Sequence, residues 1–268
     1  MTLLPRLPPH AEATIHQFLR AHVAAAGGQG VVIGLSGGVD SALVARLARD
    51  ALGPERVLGV ALPDRSHPAE LLAETREYAA SLGVATQAHA IDPVLDALHG
   101  LLPDETDRTT WGNATARVRM IVLYTIARSS GRLVAGTGNK SELLLGYFTK
   151  YGDGGVDLLP IGDLYKTEVW SLAEQLDLPA PIRERPPTAG LWEGQTDEED
   201  LGMPYRAIDQ ILRGVEELRS TDEIVAATGL RPEQVEGIER RVVANRHKRR
   251  PPPIPKLSLR TVGIDWHD

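Results

Sequence analysis

Gly34-Leu35-Ser36-Gly37-Gly38-Val39-Asp40-Ser41 decides how this chain is read. It follows the apolar, β-branched run Val31-Val32-Ile33 and precedes Ala42-Leu43-Val44-Ala45-Arg46-Leu47-Ala48, where apolar residues recur at helical spacing. A strand, a glycine turn and a helix start are predicted in succession. Glycines let the backbone approach a phosphate closely. The first-turn N–H groups of the helix, with the positive end of its dipole behind them, then face that anion. Ser36 and Ser41 add hydroxyl donors. Asp40 places a carboxylate among phosphates, an arrangement that calls for Mg²⁺ between them. Alone, such a turn also fits a plain strand-to-helix connection without a ligand.

Outward from this stretch, strands and helices alternate. A helix is predicted over 11–26, with Ile15, Phe18, Leu19, His22 and Val23 on one face and Gly27-Gly28 as its stop. A strand over 57–62 closes at Pro63-Asp64. A helix over 68–81 follows, with Leu71, Leu72, Thr75 and Tyr78 on a common side, and then a weaker strand over 84–88. Asp92 as N-cap and Pro93 at the first helical position open a short helix. Residues 102–112 read as polar loop, and Asn113 as the cap of a helix over 114–130 with Val118, Ile121, Val122, Thr125 and Ile126 inward. Leu133-Val134-Ala135 is a short strand entering a second glycine turn, Gly136-Thr137-Gly138-Asn139-Lys140-Ser141-Glu142.

This alternation predicts an α/β fold, a doubly wound parallel sheet flanked by helices. Ligands in such sheets sit beyond the carboxyl ends of the strands, so both glycine turns belong to one rim. Past Gly146 the texture changes. Residues 146–157 are loop-rich, 166–176 a helix, and 179–202 a proline- and glycine-containing segment with the acidic run Asp197-Glu198-Glu199-Asp200. Helices are predicted at 204–218, at 221–227 with Thr221 as N-cap, and at 232–247, before the basic, stiff Lys248-Arg249-Arg250-Pro251-Pro252-Pro253. The expected organisation is a single domain over 1–268: an α/β core at 11–189, a mobile lid-like loop at 190–202, and C-terminal helices with a basic tail at 203–268.

The 268 residues suffice for one large α/β domain or two small ones, and a 42% hydrophobic, 24% charged composition is ordinary for a globular chain. The net charge of −7, from 29 basic and 36 acidic residues, argues against generic nucleic-acid binding. The absence of cysteine excludes disulfides, cysteine–zinc sites, iron–sulfur clusters and thiol nucleophiles. No apolar run approaches the roughly 20 residues of a membrane span. The proline-broken start is no signal peptide, so a cytoplasmic protein without membrane partners is expected.

The glycine turn is neither of the two common phosphate loops. Its Ser-Gly-Gly-x-Asp-Ser pattern resembles the pyrophosphate loop of the N-type ATP pyrophosphatase superfamily, whose members cleave ATP to AMP and pyrophosphate on an adenine nucleotide alpha hydrolase-like fold. The remaining blocks resemble the ammonia-dependent NAD synthetases. They are Asn113 through Met120, Gly136 through Glu142, Gly146 through Asp157, Pro160 through Val169, Pro187 through Trp192, Gly194 through Glu198, and His247-Lys248-Arg249. The resemblance spans nearly the whole chain, in order.

That resemblance implies a ligase forming a carbon–nitrogen bond, which amidates nicotinic acid adenine dinucleotide to NAD. ATP is the co-substrate, and an adenylated carboxylate is attacked by ammonia. It assigns ATP contacts to Gly34, Leu35, Ser36, Gly37, Gly38, Val39, Asp40, Ser41, Thr137, Lys166 and Thr188. Mg²⁺ falls to Asp40 and Glu142, and the deamidated dinucleotide to Arg117, Lys150, Asp157, His247 and Lys248. Asp40 and Lys166 take catalytic roles, with Asp153 orienting or deprotonating ammonia. A homodimer is implied, with the dinucleotide site near the interface. The apolar circumference of the 114–130 helix (Val118, Met120, Ile121, Val122, Leu123, Ile126) points to that interface. The chain is too short for the amidase domain of glutamine-using members and lacks its cysteine nucleophile, so free ammonia is expected. A separate glutaminase feeding it stays open.

Each residue also has a plain reading. Glu142 fits a first-turn helix acid, Arg117 a solvated helix residue, and Lys150 with Asp157 a surface pair. Thr188 fits a turn, and His247 through Arg250 a basic helix end. Other pyrophosphatase-loop enzymes compete less well. Thiolating enzymes need cysteines, and a GMP-forming enzyme lacks the 146–157 block. A non-catalytic nucleotide sensor has no need of two metal carboxylates. Adenine contacts around 63–71 stay unassigned, and Tyr147, Phe148 and Trp111 are candidate aromatic linings.

Overall fold

Four short strands form one wholly parallel sheet in the computed structural model, which describes residues 3–101, 103, 106–192, 194–262 and 265. They are β1 (Val31–Gly34), β2 (Val57–Ala61), β3 (Ala85–Ala88) and β4 (Leu133–Ala135), in the order β3-β2-β1-β4. Val31 pairs with Val57 on one side and Leu133 on the other. The strand order reverses between β1 and β4, which opens a crevice at their carboxyl ends. The central strand is apolar on both faces because both are covered. Val31 and Ile33 point into one core and Val32 into another. The edge strand β3 is polar and largely exposed.

The first core is closed by α1 (Ala11–Ala25), α2 (Val39–Leu52) and α3 (Ala69–Ser81), through Ile15, Leu19, Leu43, Leu47 and Tyr78. The opposite face carries α4 (Asp92–His99) and α5 (Arg108–Ser129), through Leu95, Val118 and Ala127. Beyond the sheet come α6 (Lys140–Leu145), α7 (Lys166–Gln175), α8 (Ala180–Arg183), α9 (Asp197–Leu201), α10 (Tyr205–Glu216), α11 (Thr221–Thr228) and α12 (Pro232–Ala244). Helices α10 to α12 build a third core with Leu3, Leu145 and Tyr165, so this layer is packed against the end of α6 and the turn that opens α7. Among the described residues no helix is long and apolar enough to cross a membrane.

Several local expectations need correction. Asn113 caps nothing: α5 begins at Arg108, and Asp107 accepts the N–H groups of Thr109 and Thr110 at 2.9 and 3.0 Å. Asn113 lies inside that helix, where its Oδ1 accepts the Thr149 hydroxyl at 2.6 Å. Ile121 and Thr125 point outward, Ile121 being 58% exposed. His22 is exposed too. Asp92 is the first residue of α4, not its cap, and accepts the Arg65 N–H at 3.0 Å. Ser220, not Thr221, caps α11. The 232–247 helix ends at Ala244, and a 3₁₀ turn covers Arg246–Arg249. The 179–202 segment holds α8 and α9, the latter capped by Thr196 with acidic residues in its first turn, where the dipole favours them. Residues 102, 104 and 105 of the predicted polar loop, Glu193 of the lid-like segment, and 263, 264 and 266–268 of the tail lie outside the described residues, as do residues 1 and 2.

Candidate active site

The first glycine turn joins β1 to α2. Gly37 adopts φ +82°, and a Cβ there would run into the Leu71 and Thr75 side chains, so both conformation and space call for glycine. Gly38 is the N-cap of α2, which leaves the N–H groups of Val39, Asp40 and Ser41 without intrahelical acceptors. The serines brace the turn. Gly38 N–H donates to Ser36 Oγ at 3.3 Å, and Ser41 Oγ donates to the Gly38 carbonyl at 3.0 Å. Leu35 and Val39 have buried side chains, and the Leu35 N–H is already bonded to the Val60 carbonyl at 2.9 Å. Leu35 therefore holds the turn in the core and offers no free donor. Arg185, which sequence reasoning passed over, donates to the Gly37 carbonyl and to Glu74.

The second turn joins β4 to α6. Fully buried Asn139 caps α6, accepting the Glu142 N–H at 3.0 Å while Glu142 Oε2 accepts the Asn139 N–H at 3.1 Å. The Asn139 amide also donates to Asp40 Oδ1 at 3.1 Å. One side chain thus fastens the two glycine turns together on the rim.

Lys166 opens α7 and is 1% exposed. Its ammonium donates to Asp40 and stands 3.7 Å from Glu142 Oε1 and 5.5 Å from the centre of the Tyr205 ring. Burial pushes the Lys166 ammonium down, but Asp40 and Glu142 outweigh it and hold it above the usual lysine range. Burial, and then the charge of Asp40, push the Glu142 carboxyl up to about 8, against the pull of Lys166. Asp197 of α9 joins this neighbourhood. It is 3% exposed, and its Oδ2 accepts the Tyr205 hydroxyl at 3.1 Å. Its Oδ1 is buried without a hydrogen-bond partner. Burial raises its carboxyl as well, against the opposing charge of Lys166.

A second group gathers on residues 146–157. Arg117 Nε and Nη2 both donate to the Lys150 carbonyl at 3.3 Å, and Lys150 Nζ donates to the His247 carbonyl at 3.1 Å. Lys248 Nζ donates to the carbonyls of Gly146 and Phe148 at 2.7 and 3.0 Å. Asp153 accepts the Thr149 N–H at 2.8 Å. Asp157 accepts the Tyr124 hydroxyl at 3.1 Å and the Val134 N–H at 2.8 Å, so it is tied to α5 and β4 rather than paired with Lys150. Thr137 lies in the second glycine turn. Thr188 is exposed, and its hydroxyl accepts the Gly190 N–H at 3.0 Å within a local turn. Of the aromatic candidates, Trp111 packs on His99, Tyr147 donates to Asp200 at 2.8 Å, and Phe148 has Lys248 Nζ 5.6 Å from its ring centre.

The family model described as NAD synthase matches residues 12–252. The chain belongs to the NAD synthase family. It is 46% identical to the NH₃-dependent NAD⁺ synthetase of Methanosarcina acetivorans over 250 residues, 92% of this chain and 98% of that protein. Among solved structures it resembles the NMN synthetase of Francisella tularensis, at TM-score 0.83 and 32% identity over 94% of this chain and all of that one. It also resembles the NH₃-dependent NAD synthetase of Campylobacter jejuni, at TM-score 0.78 and 33% identity over 92% of this chain and 97% of that one. Asn139, Asp197 and Tyr205 escaped the sequence reading. The first had a signal, since an asparagine three residues before a glutamate is a capping pattern. The others sit on helices whose approach to the rim is set by tertiary packing.

Proposed function

We propose that this protein is an ammonia-dependent NAD⁺ synthase. It would adenylate the carboxylate of nicotinic acid adenine dinucleotide with ATP, release pyrophosphate, and let ammonia displace AMP to form the amide. The observation that carries the reading is the convergence of Asp40, Glu142 and Lys166, from three separate helix N-termini, in a chain that matches ammonia-dependent relatives almost end to end.

The first-turn N–H groups of α2, with Ser36 and Ser41, would bind the two phosphates that leave together. Lys166 would neutralise charge on the phosphates as the bond to the α-phosphorus breaks. Arg117, Lys150 and Lys248, with His247 and Asp157, would seat the dinucleotide, whose pyrophosphate and carboxylate need cationic partners. Asp153 would accept the proton lost by the attacking ammonia.

The donor set fits Mg²⁺. Asp40 and Glu142 bring two carboxylates to one ammonium, Asp197 adds its charge from nearby, and a buried oxygen of Asp197 lacks a partner, so the cluster is short of positive charge. Asp40 and Glu142 would hold the ion, which would supply charge neutralisation to the phosphates. Residues 190–202 would act as a lid that shields the adenylate from water. Buried Gln195 and Asp197, set between the exposed Gly190, Gly194 and Gly202, support this. The outward stripe of Arg117, Ile121, Thr125 and Arg128 along α5 supports a homodimer, which would place Arg117 at the interface.

A second reading, amidation of the mononucleotide, is favoured by the likeness to the Francisella tularensis NMN synthetase. Supplying the purified protein with ATP, Mg²⁺, ammonium and either nicotinic acid nucleotide separates the two. The dinucleotide should give the higher kcat/KM. A clear preference for the mononucleotide would assign the second reading.

A further inference from the structure

Asp209 lies on α10, outside the sheet, and is fully buried. Its two oxygens reach the starts of α6 and α7. Oδ1 accepts the Ser141 hydroxyl at 2.5 Å. Oδ2 accepts the Thr167 N–H at 2.9 Å and the Thr167 hydroxyl at 2.8 Å. Ser141 Oγ in turn accepts the Lys166 N–H at 2.9 Å. Ser141 adjoins Glu142, and Thr167 adjoins Lys166, so one carboxylate grips the immediate neighbours of both functional side chains. We infer that Asp209 is a positioning residue for the reaction: it sets the spacing between the starts of α6 and α7 and thereby keeps Glu142 and Lys166 on one site.

Four arguments support this. Helix α6 has only six residues, too few to hold its own orientation without tertiary contacts. The N–H groups of Lys166 and Thr167, the first two of α7, find their acceptors on Ser141 and Asp209, so this end is capped from two other elements. A buried carboxylate is expensive, and an apolar residue of similar size is often at least as stabilising, so packing alone does not account for a charge here. Tyr205, one turn earlier on α10, meets Lys166 with its ring and Asp197 with its hydroxyl, so α10 faces the site along two turns.

The inference rests on the proposed reaction for its activity readout, and metal affinity tests it independently. Asp209→Asn keeps the volume but loses the charge and one acceptor. With it should come a fall in kcat of about 10- to 100-fold, as a displacement of about 1 Å produces, with KM for both nucleotides changed by less than about threefold. The affinity for Mn²⁺, read by electron paramagnetic resonance, should weaken about tenfold. Thr167→Val, which removes one hydroxyl donor and keeps the backbone N–H, should lower kcat severalfold at nearly unchanged Tm, and it carries the test if Asp209→Asn does not fold. Wild-type protein that makes no NAD would remove the proposed reaction while leaving the Mn²⁺ comparison to decide the role of Asp209. Unchanged kcat and Mn²⁺ affinity per folded molecule, with losses confined to Tm, would overturn the inference in favour of a helix cap alone.

Discussion

Lys166 Nζ stands 3.7 Å from Glu142 Oε1 although the two residues open different helices. The same ammonium is bonded to Asp40, at the start of a third. Removing either carboxylate should therefore leave the fold intact and stop the reaction. Asp40→Ala and Glu142→Ala should each lose at least about 10³-fold in NAD formation with unchanged circular dichroism. Near-normal turnover by Glu142→Ala at modest Mg²⁺ would refute the metal assignment.

In metal-free protein the Glu142 carboxyl keeps its proton up to about pH 8, whereas in the unfolded chain it releases it near 4.5. The folded state binds the extra proton between these values, so this contribution to stability is complete below the lower value and is lost as pH rises through the upper one. With a chelator present, Tm of the wild type should fall more steeply from about pH 5 to about pH 8.5 than that of Glu142→Gln, whose amide does not titrate. Parallel curves for the two proteins would remove this account of the cluster.

The stripe on α5 predicts assembly. Ile121, in the middle of a 22-residue helix, is 58% exposed. The protein should scatter light as a dimer at micromolar concentration, and Ile121→Asp should yield a folded monomer. A wild-type monomer under these conditions argues against the interface.

The 190–202 segment should respond to ligands. Protease cleavage there should slow when ATP and the deamidated dinucleotide are added together, because closure over the adenylate orders the segment. Equal cleavage rates with and without ligands would leave no lid.

How much of this was legible depends on the range of the forces involved. Strands β1, β2 and β4 and the two glycine turns are written locally, as apolar runs that end at glycine or proline. The cap of α5 was misplaced because Asn113 and Asp107 both suit an N-cap, and only the packing of the 106–112 segment decides between them. The inward face of α5 was misread because a helix apolar on most sides does not reveal which side meets the sheet. Asp197 reads in sequence as part of an acidic run in a lid-like loop, yet it turns inward, where the Tyr205 hydroxyl donates to it across elements. Asp209 carries no local signal, since its partners lie 68 and 42 residues away in sequence.

The most direct test of the central claim is to count the products when the purified 268-residue chain is given ATP, Mg²⁺ and nicotinic acid adenine dinucleotide, with either ammonium chloride or ammonia-free glutamine. With ammonium, NAD should form together with one AMP and one pyrophosphate for each ATP consumed. Glutamine should give none, because no cysteine is present to release its nitrogen. Formation of ADP and phosphate in place of AMP and pyrophosphate, or robust NAD formation from glutamine alone, would contradict the account.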